Sequence, residues 1–79
     1  MLVALLDRIP EGSSERVVEG RRWAVTKVTS TGGRAVRLFG EELGGTGYVS
    51  ANAYLVGGRW ILCPCEMPAE RVLAFLRRL

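Results

Sequence analysis

Along Tyr48-Val49-Ser50-Ala51-Asn52-Ala53-Tyr54-Leu55, aliphatic side chains alternate with phenol, hydroxyl and amide groups. Successive side chains of a strand point to opposite faces. Val49, Ala51, Ala53 and Leu55 would therefore share one face, and Tyr48, Ser50, Asn52 and Tyr54 the other. The first face requires a core. The second offers aromatic planes and hydrogen-bonding groups to something else.

The flanking segments supply partners for this strand. Arg22 to Thr29 is rich in β-branched residues, has Trp23 near its start, and reads as a first strand. Gly32-Gly33 tolerates the positive φ of a tight hairpin, and Arg34 to Phe39 reads as a second strand. Gly40 to Gly47 reads as a glycine-rich turn with room for one helical turn. Gly47 to Val56 is the third strand, Gly57-Gly58 a second hairpin signal, and Arg59 to Cys63 the fourth strand. Pro64 cannot donate a ladder hydrogen bond, so that strand ends there or lies at a sheet edge.

Helical spacing occurs at both ends. Leu2, Leu5, Leu6 and Ile9 repeat until Pro10, which predicts a short helix, although Leu2 to Leu6 also fits a strand. Glu11-Gly12-Ser13-Ser14 reads as a polar connector. Toward the C-terminus, Pro68 suits the first helical position and Glu70 the first turn, with Arg77 and Arg78 at the negative helix end. Val72, Leu73, Phe75, Leu76 and Leu79 form an apolar stripe that must be buried against the aliphatic sheet face, a partner chain, or both. The prediction is one α+β domain spanning residues 1–79. Two β-hairpins form a four-stranded antiparallel sheet, a C-terminal helix packs on one face, and a short N-terminal helix or strand lies beside it.

At 79 residues the core is thin, because such a chain buries only about 60–65% of its unfolded surface. Two cysteines cannot build a disulfide framework, so stability needs efficient packing or a second copy of the chain. The apolar start, Met1 to Leu6, is too short to span a bilayer and lacks the marks of a signal peptide. A cytoplasmic, homodimeric protein with no membrane partner is expected. A net charge of +3 is mildly basic and falls short of a strong nucleic-acid signature. Arginine supplies every cation except Lys27, and amides are scarce, which fits a heat-adapted source.

Candidate chemistry centres on two groups. Tyr48 and Tyr54 can stack on bases, Asn52 can hydrogen-bond, and Arg37 and Arg59 on neighbouring strands can neutralise phosphates. The same face could instead be a homodimer interface or simply solvated. Cys63-Pro64-Cys65, just before a helix start, is a candidate redox or regulatory thiol pair, with two small buried thiols as the plainer reading. A disulfide between them is disfavoured, since Cα atoms two apart in a strand are about 6.5–6.8 Å apart, the upper edge of the allowed range. Zinc fails on ligand count, with two Cys and no His.

Gly44-Gly45-Thr46-Gly47 lacks the Lys of a phosphate loop and precedes a strand, so it reads as a turn. Glu41 and Glu42 are adjacent and read as a solvated turn, and Arg21-Arg22 and Arg77-Arg78 as exposed ends. Without His, no Ser-His-Asp or Cys-His arrangement can form within the chain.

The expectation is a non-enzymatic binding module without a cofactor. Its candidate ligand is single-stranded nucleic acid. The alternatives are a thiol-based redox or regulatory protein using Cys63 and Cys65, or a protein–protein interaction module. The order hairpin, hairpin, helix resembles, in architecture and without a shared motif, that of small coactivators that bind single-stranded DNA as dimers.

Overall fold

The computed structural model describes residues 2–79; Met1, the head of the apolar start, lies outside them. The elements are α1 (Leu2–Asp7), β1 (Gly12–Val18), β2 (Arg21–Ser30), a 3-10 turn (Thr31–Gly33), β3 (Ala35–Glu42), β4 (Tyr48–Val56), β5 (Arg59–Pro64) and α2 (Ala69–Arg77). The strands form one antiparallel meander in chain order, β1-β2-β3-β4-β5. The fold is α+β as expected, with five strands instead of four.

The extra strand, β1, takes in much of the presumed connector. It pairs with β2 through Val18↔Arg21 and Gly12↔Lys27. The intervening Glu19 and Gly20 both have positive φ, 52° and 78°, the left-handed pair that a two-residue hairpin requires. With this strand the order departs from hairpin, hairpin, helix. A second difference lies in β3, which runs through Gly40 to Glu42 and shortens the glycine-rich turn. At the C-terminus Pro68 caps α2 from an extended conformation, one residue before the helix proper.

Alternation sorts the sheet as the sequence requires. Val25, Val36, Leu38, Val49, Ala51 and Ala53 are buried on one face, where Val72, Phe75 and Leu76 of α2 meet them. Gly40 permits a close approach of helix to strand. A Cβ there would stand 3.2 Å from the Phe75 ring. With no Cβ in the way, Phe75 rests on the strand and tilts 56° against Trp23, ring centroids 4.7 Å apart, a geometry aromatic pairs favour. Leu6 and Ile9 close the other end of the core, confirming a helix and not a strand at the N-terminus.

Side chains finish what the ladder leaves open. By the β1–β2 register Thr29 would face Pro10, beyond the paired residues; the Glu11 carboxylate instead accepts both the Thr29 N–H and hydroxyl at 2.7 Å. Those bonds hold Glu11 below the usual carboxylate range. Arg8, just after α1, donates to the Leu79 carbonyl beyond α2. The Ser14 hydroxyl is buried without a partner. Lys27 donates to the carbonyls of Leu6 and Ile9 at 2.9 and 3.0 Å, where α1 ends. Hydrogen bonds from a charged donor contribute about 1.5–3 kcal/mol net. Lys27→Met should therefore cost about that much in denaturant unfolding, while Arg34→Met, whose guanidinium reaches only an exposed turn carbonyl, should cost under about 0.5 kcal/mol. Equal losses would contradict the capping role.

Candidate binding face and thiols

The face opposite the helices carries Glu41, Phe39, Arg37 and Ala35 on β3, Tyr48, Ser50, Asn52, Tyr54 and Val56 on β4, and Arg59, Ile61 and Cys63 on β5, as the register places them. No helix covers it. Phe39 and Tyr54, on the inner strands β3 and β4, are 40% and 42% exposed.

The expected residues fall into three groups. Arg37 and Asn52 are directly opposite one another and sit beside two shallow hollows. One hollow, about 240 Å³, is completed by Tyr54, Ser30 and Val28. The other, about 370 Å³, is completed by Phe39, Ser50 and Cys65. Tyr48 stands apart, six residues from Tyr54 and so roughly 20 Å away along the strand. Its ring lies under the Arg71 guanidinium, 5.9 Å from the centroid, and Arg71 also donates to its carbonyl. The two tyrosines are thus not one platform. Arg59 lies at the β4–β5 hairpin opposite Val56, the far end of the face. Phe39 joins this face as well, on the side that alternation from Arg37 gives it.

The face is weakly charged. Arg22 and Glu15 form a two-pronged ion pair at 2.9 and 3.0 Å, which holds Glu15 below the usual carboxylate range and leaves little net field. Arg37 and Arg59 have no acid partner within ion-pair distance.

Cys63 and Cys65 are both free, and they flank Asn52 on this same face. Cys63 is exposed and opposite Asn52, and Cys65 is half-buried with the Asn52 amide 3.7 Å from its sulfur. The plainer reading of two buried thiols does not hold, because β5 is an edge strand and odd residues point away from the helices. Among the described residues no three His, Cys, Asp or Glu side chains gather in a metal-holding group.

A second cleft, about 400 Å³, lies on the helix side, beyond what spacing along the chain could reveal. Trp23 and Phe75 line it, with Arg21, Arg71 and Arg78 nearby. Glu42 pairs with Arg21 at 2.7 Å and Glu19 with Arg78 at 3.0 Å, so Arg71 alone lacks an acid. Glu42 is not a solvated turn residue: its side chain is only 12% exposed. Gly45 and Gly47 wrap it, and a Cβ on Gly47 would come 2.7 Å from its carboxylate and 3.1 Å from Trp23. The glycine run makes room for an ion pair.

No helix of the described residues is long and apolar enough to cross a membrane. Comparisons with protein-family models, curated proteins and solved structures find no match to this chain. The thiol geometry has a direct consequence for labelling. A disulfide-exchange reagent should modify Cys63 in the native protein at least tenfold faster than Cys65, measured by mass spectrometry of the digested product. Equal rates, or a slower Cys63, would contradict the outward placement of Cys63 on the uncovered face.

Proposed function

We propose that the protein is a non-enzymatic, homodimeric binding module that takes single-stranded nucleic acid on its uncovered sheet face. The observation that carries this reading is the placement of Phe39 and Tyr54 around Arg37 and Asn52 on the central strands, in the open. Each aromatic plane offers a stacking surface to any base. Arg37 and Asn52 lie between them, one for a phosphate or a base edge and the other for an amide-type hydrogen bond. Tyr48 and Arg59, at opposite ends of the face, extend the path a strand would follow.

The charge supports stacking over electrostatics as the source of affinity. Only Arg37 and Arg59 are unpaired on the face, so about two phosphates would be neutralised. For single strands that gives a slope of log affinity against log salt near −1.4. A titration of labelled homopolymer oligonucleotides at low salt should show binding tighter than about 100 µM with that shallow slope. Phe39→Ala should weaken binding roughly 5- to 150-fold, the cost of about 1–3 kcal/mol for one stacked base. Arg37→Ala should reduce the slope by about 0.7. No binding at about 100 µM, or binding indifferent to Phe39→Ala, would end the proposal.

A further inference from the structure

The two sheet edges are built differently. The β1 edge carries Glu15 and Arg16, with Glu11 just before it, the charges that normally keep a free edge from pairing. The β5 edge carries Trp60, Ile61, Leu62 and Cys63 in succession, with no charge between Arg59 and Pro64. An exposed apolar edge of this kind is a template for another strand.

The backbone pattern says what it would pair with. Cys65 donates to Ser50, so Cys63, Ile61 and Arg59 face β4 by alternation. Trp60 and Leu62 therefore aim their N–H and C=O groups outward, and Pro64 loses no ladder bond because its missing N–H would also point outward. A second β5 placed antiparallel about a two-fold axis at Ile61 puts Trp60 opposite the partner's Leu62 and Leu62 opposite the partner's Trp60. Each such pair exchanges both backbone bonds. On the helix side the indoles meet leucines, and on the open side Ile61 meets the partner's Ile61. Sliding the register so that Trp60 faced Pro64 would forfeit a donor.

The strand alone is short for a stable interface, which buries about 1,200–2,000 Å². Next to it, however, lies an apolar groove of about 530 Å³ lined by Leu2, Leu5, Trp60, Leu62 and Leu73. The two-fold axis sets this groove against its own copy. We infer that a second copy of this chain docks along the β5 edge, joining two sheets into one of ten strands with both helix layers on one side and both open faces on the other.

This seam deepens the homodimer in the functional reading and does not depend on the ligand. Sedimentation or light scattering of the wild-type protein at about 100 µM should give twice the 8.7 kDa chain mass. Ile61 is 48% exposed on the outer face, so changing it leaves the core intact. Ile61→Lys sets like charges opposite each other and should give a monomer with unchanged circular dichroism. Ile61→Cys in a Cys63→Ser/Cys65→Ser background should form a disulfide-linked dimer under mild oxidation. Opposite residues at a non-hydrogen-bonded position have Cα atoms about 4.5 Å apart, within disulfide reach. A monomeric wild type overturns the seam, as does a dimer that Ile61→Cys fails to cross-link. A cross-linked dimer that ignores oligonucleotides keeps the seam and removes only the ligand.

Discussion

One layer of helices for a five-stranded sheet is the constraint from which the rest follows. Strands spaced about 4.8 Å apart make this sheet roughly 24 Å wide, and a packed helix covers about 8–10 Å of it. The described residues hold two α-helices, and one face takes both. The alternation in β3 and β4 decides which face. Val36, Leu38, Val49, Ala51 and Ala53 go under α2, and Gly40 gives Phe75 its seat. No helix among the described residues covers Phe39, Tyr54, Val28 and Ile61, each about 40–50% exposed. A thin core thus leaves an aromatic face to solvent or to a partner.

That face and the helix-side cleft make different offers. On the open face Glu15 is spent on Arg22, and Arg37 and Arg59 remain without an ion-pair partner, so the field is weakly positive. Affinity there must come from ring planes and short polar groups. In the cleft, Arg21 and Arg78 already hold Glu42 and Glu19, and the glycine loop wraps Glu42. Those ion pairs occupy Arg21 and Arg78, while Arg71 braces Tyr48. The uncommitted aromatic groups, Phe39 and Tyr54, are on the sheet face and not in the cleft.

What local pattern controls is legible in the sequence. The strict alternation in β4, the paired glycines of the β4–β5 hairpin and the stripe of α2 each follow from one stretch of chain. β1 escaped because Ser13-Ser14-Glu15-Arg16 is polar, as an edge strand can be, and because its turn uses Glu19, a residue that rarely takes positive φ. The far half of β3 escaped because Gly40 looks like a strand breaker until Phe75, 35 positions away, is seen resting on it. Glu42 and the glycine loop likewise make sense only with Arg21 and Trp23 in place. At the site, Arg37, Asn52 and Tyr54 were legible by alternation, while the separation of Tyr48 and the arrival of both thiols beside Asn52 needed the register between strands.

The most direct test of the uncovered face as the docking surface is a residue-resolved nuclear magnetic resonance titration with a short single-stranded oligonucleotide. Amide and side-chain shifts should concentrate at Arg37, Phe39, Asn52 and Tyr54. Shifts confined to Trp23, Arg71, Phe75 and Arg78 would place binding in the cleft on the other side and contradict the account.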